Sequence, residues 1–216
     1  MTGRLLHAAT HLGDAALLLP ASAGLFLVLV VRAPRAAMLW GAVLTAGLSA
    51  MVAAKLLLHG CGPRLQSPSG HAAFSALFYG CAAVVVGAGL GRPARWLVSA
   101  AAVAVVAAVA VSRVWLRVHT PEEVAVGLLV GGLGVATFAR FRPALERPVL
   151  AAPVLAAGFL LLGLLVGGRH FGIEHWIGRA ARQAPALDLC HRDASRPAAE
   201  PWASVLVAVP ATEAAP

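Results

Sequence analysis

A chain of 216 residues with 17 Lys and Arg against 9 Asp and Glu carries a formal net charge of +8, and it is 60% hydrophobic and only 12% charged. Soluble domains average roughly 45–50% apolar and 25% charged residues, and a protein of this size has too much surface to cover with so few charges. A mean hydropathy of +0.82 therefore excludes a soluble globular domain, and the same numbers exclude a disordered chain.

In chain order, residues 1–14 are too mixed to span a bilayer and are expected to lie along its interface. Six apolar runs follow, at 15–31, 37–58, 72–90, 96–115, 121–139 and 149–167, each near the roughly 17–25 residues that cross the hydrocarbon layer as a helix. The expected fold is all-α: a polytopic membrane helix bundle of about six transmembrane helices. Ala21-Ser22-Ala23 resembles a signal-peptide cleavage site, but the apolar run continues to Val31 and Asp14 interrupts it upstream, so cleavage is not expected. Residues 15–167 thus form the membrane domain, and 168–216 a C-terminal region. Within that region 170–183 reads as a short interfacial amphipathic helix, and the Pro- and Ala-rich remainder as loosely ordered tail.

Six spans place the connections 32–36, 91–95 and 140–148 on one side, with Arg32, Arg35, Arg92, Arg95, Arg140, Arg142 and Arg147 opposed only by Glu146. The positive-inside rule makes that side cytoplasmic, so 59–71 and 116–120 face the periplasm or exterior of a bacterial-type inner membrane. Gly87-x3-Gly91, Gly127-x3-Gly131 and Gly163-x3-Gly167 read as sites of close helix packing. Sixteen of the 17 basic residues are Arg, with no dense basic tract, so nucleic acid is not an expected partner.

The remaining polar residues gather on the outer face: Lys55 at the end of span 2, Pro68-Ser69-Gly70-His71 opening span 3, Ser112-Arg113 near the end of span 4, and His119 before span 5. Ionisable groups held at one depth of a membrane protein are functional candidates. Snorkelling to headgroups accounts for Lys55 or Arg117 alone, but not for two histidines and a Pro-Ser-Gly turn. The set suits an anion. Ser69 is an N-cap residue, Gly70 admits close backbone approach, and the amides and dipole of the helix start favour negative charge. Arg113 forks onto two oxygens and Lys55 adds a point charge. Two histidines remain as nucleophile and acid, and no carboxylate cluster suits a metal, so neither metal nor cofactor is expected.

Lys55, then Pro68-Ser69-Gly70-His71, then Ser112-Arg113-x5-His119-x3-Glu123, resembles the three-part signature of the type 2 phosphatidic acid phosphatase superfamily, which spans membrane lipid phosphatases and soluble vanadium haloperoxidases. The resemblance implies that His119 attacks phosphorus to form a phosphohistidine and His71 protonates the leaving oxygen. It also implies that Lys55, Arg113 and the Ser69 and Gly70 amides hold the phosphoryl oxygens, as expected where positioning and electrostatics carry phosphoryl transfer. The implied activity is hydrolysis of a lipid phosphate or diphosphate in the bilayer; transfer to a sugar or lipid acceptor, and an inactive scaffold of the same fold, remain open.

Two positions depart from the pattern. Where the first motif has Arg-Pro, this chain has Gly62-Pro63, and Arg64 is either the substitute phosphate ligand or an ordinary loop arginine. Where the third motif has Asp, this chain has Glu123, which orients His119 or caps the helix within Thr120-Pro121-Glu122-Glu123. Arg117 either assists phosphate binding or meets headgroups. Cys61 and Cys190 share the outer face and either pair or stay as thiols, while Cys81 is expected buried and inert. His59 lies in the loop on the active side, in reach of substrate, while His7, His11, His170, His175 and His191 carry no expected catalytic role.

Overall fold

The structure, a computed structural model, describes residues 2–58 and 67–142, together with the single positions Gly158 and Arg179. The expected span at 149–167 and helix at 170–183, apart from those two positions, lie outside the described residues, as do Arg64, Cys61 and Cys190.

Six helices run through the described residues: α1 (Thr2–Leu12), α2 (Ala15–Arg32), α3 (Pro34–Leu57), α4 (Gly70–Gly87), α5 (Arg92–Trp115) and α6 (Pro121–Phe141). The last five coincide with the expected spans at 15–31, 37–58, 72–90, 96–115 and 121–139. Local chemistry marks their starts. Asp14, Ser69 and Thr120 cap α2, α4 and α6 through their side-chain oxygens, and Pro stands in the first turn of α3, α5 and α6, where a missing N–H costs nothing. Five stretches are long and apolar enough to cross a membrane, the first running from Leu6 to Arg32 through the α1–α2 break. This is a multi-pass, all-α membrane protein.

α4 is the hub. It packs against α2, α3, α5 and α6, and 67% of its apolar window is buried against 22–33% for the others. The outer helices leave Leu27, Val31, Met38, Trp96, Leu97 and Leu133 exposed, as a lipid-facing surface requires. At the centre Trp40 meets Phe78 and Phe138 edge-on at 6.2 and 6.1 Å, and its indole N–H donates to the Ser22 carbonyl at 3.3 Å. Gly127 and Gly131 bring α6 onto α4: a Cβ at Gly127 would collide with the Ser69 carbonyl, and one at Gly131 would lie 2.5 Å from the Ala73 carbonyl. The expected close packing holds for this pair. Gly91, by contrast, has open space where a Cβ would sit and serves as the N-cap of α5.

Because the spanning helices alternate in direction, Arg32, Arg35, Arg92, Arg95, Arg140 and Arg142 fall at one end of the bundle. The end of α3, start of α4, end of α5 and start of α6 fall at the other. That second end holds Lys55, Gly70, His71, Arg113, His119 and Glu123.

Candidate active site

His119 sits in the turn between α5 and α6, two residues before the first helical position of α6. Four residues on, Glu123 reaches back, and the His119 ring donates from Nδ1 to Glu123 Oε2 at 2.8 Å. A carboxylate accepts only, so this bond keeps the proton on Nδ1 and the lone pair on Nε2. The same Oε2 accepts the Thr120 amide at 3.3 Å, while Thr120 Oγ1 accepts the Glu123 amide at 3.2 Å, completing a capping box. Orientation and capping, which the sequence set against each other, are carried together. The second oxygen, Oε1, accepts the Ser67 amide at 2.7 Å and so ties α6 to the Pro-Ser-Gly-His turn.

That turn is held by backbone as well. The Ser69 amide donates to the Glu123 carbonyl at 3.0 Å, and Ser69 Oγ accepts the Ala72 amide at 3.4 Å as N-cap of α4. This corrects the expectation for Ser69: its amide is already spent on α6 rather than directed at a phosphoryl oxygen. By position, the first helical amides lacking an acceptor within α4 are those of Gly70 and His71.

Arg113, in the last turn of α5, is buried and positions His119 through its own carbonyl, which accepts the Val118 and His119 amides at 3.1 and 3.2 Å. With Arg117 donating to Val114 at 3.0 Å, this is a Schellman closure. Its left-handed position is Arg117 at φ 54°, the one non-glycine residue with positive φ among the described residues. Lys55 is buried in the last turn of α3. Cations at the ends of α3 and α5 and carboxylates at the start of α6 each lie where the helix dipoles favour them.

Lys55, Gly70, His71 and Arg113 line one cavity of about 480 Å³. Ser69 and His119 are buried beside Gly70 and Arg113 and are not among its lining residues. Most of the wall is apolar, including Leu19, Leu48, Met51, Phe74 and Leu77. It also contains Thr10 and Asp14, which sequence reasoning did not place at the site. Asp14 is buried, accepts the Ala16 amide on Oδ1 at 2.8 Å, and has Oδ2 4.0 Å from His71 Nε2. The one signal that marked it was an acidic residue inside an apolar run that otherwise spans.

The family model of the PAP2 superfamily matches residues 55–147. An uncharacterized 22.5 kDa protein in the cps region of Klebsiella pneumoniae is 32% identical over 133 residues, 58% of this chain and 64% of that relative. The match thus spans under two thirds of the relative's length, and no solved structure is a significant match. The segment matched by the PAP2 superfamily model carries Lys55, the Pro-Ser-Gly-His turn, Arg113 and the His119–Glu123 pair.

Proposed function

We propose that the protein is an integral-membrane phosphatase that hydrolyses a lipid phosphate or diphosphate through a phosphohistidine, at the membrane face opposite the arginine-rich end. The observation that carries this reading is the cavity. Two buried cations and His71 stand at its polar end, and apolar side chains line the rest, which matches an amphiphile with a phosphate head and a hydrocarbon tail.

In the proposed reaction His119 Nε2 attacks phosphorus, made nucleophilic by the Nδ1–H bond to Glu123. As the P–N bond forms, the P–O bond to the lipid breaks and the departing oxygen takes a proton from His71. Lys55, Arg113 and the amides at the start of α4 take the charge that spreads over the phosphoryl oxygens. Water then attacks the phosphohistidine, returns a proton to His71, and releases inorganic phosphate and His119. The arginine-rich end would be cytoplasmic by the positive-inside rule, so the site would open to the periplasm or exterior.

The test is a panel of lipid phosphates and diphosphates offered to the detergent-purified protein with a chelator present. Release of inorganic phosphate is expected. Phosphate appearing on an added sugar or lipid acceptor in place of release would make the protein a transferase, and no turnover of any member would overturn the enzymatic reading.

A further inference from the structure

We propose that Asp14 is a positioning residue for His71, so that the N-terminal segment, upstream of the family-matched region, forms part of the active site. The proposal rests on the phosphatase reading for its catalytic consequence and on the contact itself for its geometry. Asp14 Oδ1 caps α2 through the Ala16 amide at 2.8 Å, and Oδ2 lies 4.0 Å from His71 Nε2. Capping alone explains neither the charge nor the burial. Ser or Asn caps as well, whereas an ionised carboxylate 8% exposed in an apolar setting is costly unless a counter-charge shares its site. Asp14 lines the cavity with His71, Lys55 and Arg113.

The turn that presents Asp14 is fixed from three directions. Tyr79 of α4 donates its hydroxyl to the Leu12 carbonyl at 2.8 Å. Thr10 and Ser112 hydroxyls meet at 2.7 Å, next to Arg113; Ser112 donates to the Val109 carbonyl at 2.7 Å, so Thr10 is the donor between them. Gly13 presses on the site: a Cβ there would lie 2.7 Å from Val109 Cγ1 and 3.3 Å from His71 Cβ, and the β-branched Val109 yields little. Asp14 is therefore held against His71 by α1, α4 and α5 together. When His71 is the doubly protonated imidazolium, Asp14 is the counter-charge that holds the ring from its Nε2 side. One of the two imidazolium protons passes to the departing lipid oxygen as the P–O bond breaks, and a proton from the attacking water restores it.

Asp14→Asn keeps a good N-cap and removes the charge. The full-length protein in micelles would be assayed on phosphatidate, whose alkoxide leaving group needs a proton, and on p-nitrophenyl phosphate, whose phenolate does not. The kcat/KM ratio of phosphatidate to p-nitrophenyl phosphate should fall about tenfold or more in Asp14→Asn, and further in His71→Ala, within the range general-acid groups supply. The double variant should be no worse than His71→Ala. An equal loss on both substrates, no loss on phosphatidate, or additive losses in the double variant would overturn the proposal. Asp14→Ser, which also caps, replaces Asp14→Asn if that variant does not fold. Should the wild type turn over neither these substrates nor any member of the lipid phosphate and diphosphate panel, the phosphatase reading falls. The pairing is then judged by the imidazole NMR signals of His71, which must shift in Asp14→Asn; an unchanged His71 signal overturns it.

Discussion

Two histidines at one end of this bundle each face a carboxylate, and the two pairs are built differently. His119 and Glu123 are four residues apart at the start of α6, joined by a 2.8 Å hydrogen bond within a helix-capping box. His71 and Asp14 come from the start of α4 and the α1–α2 turn, 4.0 Å apart, and meet only because Tyr79 and Ser112 hold the N-terminal segment in place. Local geometry makes the first pair and tertiary packing makes the second. The first should therefore survive any change that leaves α6 helical, and the second should fail whenever α1 lifts from α4 and α5.

The sharpest way to separate the pairs is to remove each histidine. His119→Ala should abolish turnover and any acid-labile phosphoenzyme. His71→Ala should lose about 10²–10⁴-fold on poor leaving groups and still form phosphoenzyme slowly from good ones. Rapid-quench labelling with a ³²P-labelled substrate reads both, and equal labelling of wild type and His119→Ala would remove His119 as nucleophile.

Next in size is Glu123→Gln. The Glu123 carboxylate takes three donors: His119 Nδ1–H and the Thr120 amide on Oε2, and the Ser67 amide on Oε1. A Gln amide presents one oxygen and one NH2, so whichever way it turns, an NH2 faces a donor. Either the histidine orientation or the tie to Ser67 is lost, and the buried donor left unsatisfied costs about 1–3 kcal/mol. Activity should fall by about 10²-fold or more, with a lower unfolding midpoint in micelles. Unchanged activity would detach Glu123 from catalysis. The sequence posed this residue as a choice between two roles because it treated the carboxylate as a single acceptor; its oxygens offer about four lone-pair sites, enough for both roles and a third contact.

That case marks how far the sequence was legible. Hydropathy located α2–α6 nearly to their ends, because the apolar run and the capping or proline residue at its start are both local. The Gly127–Gly131 spacing marked a site of close helix packing for the same reason, while its partner, α4, came only with the fold. Lys55, His71, Arg113 and His119, which the structure gathers at one end of the bundle, were singled out through spacing and residue type. What stayed hidden depended on packing between distant segments: Asp14 beside His71, and the Ser69 amide committed to the Glu123 carbonyl. A Tyr79→Phe exchange probes this difference gently. Losing the hydroxyl bond to Leu12 should cost about 1 kcal/mol and loosen the Asp14 turn, lowering phosphatidate turnover in preference to that of p-nitrophenyl phosphate. A loss shared equally by both substrates would mean that the N-terminal segment supports the whole site and not His71 in particular.

The smallest expected effect concerns the turn that delivers His119. Arg117 occupies the left-handed position of the Schellman closure at φ 54°, where an L-residue with a Cβ carries roughly 1–2 kcal/mol of steric cost and Gly carries none. Glycine loses more chain entropy on folding, by about 0.5–1 kcal/mol, which offsets part of that gain. Arg117→Gly should therefore raise stability by up to about 1 kcal/mol, seen as a higher thermal midpoint, while leaving the amide bonds of Val118 and His119 to Arg113 in place. Because the side chain is exposed beside Trp115 and Val118, activity then decides between its two sequence readings. A more stable protein with an undiminished kcat/KM on lipid phosphate assigns Arg117 to headgroup contact. A more stable protein with kcat/KM reduced tenfold assigns its guanidinium to phosphate, supplying a cation where the first motif has Gly62. A lower midpoint would show that the arginine side chain supports the turn by more than its backbone costs, and that the local pair, too, leans on contacts beyond its own helix.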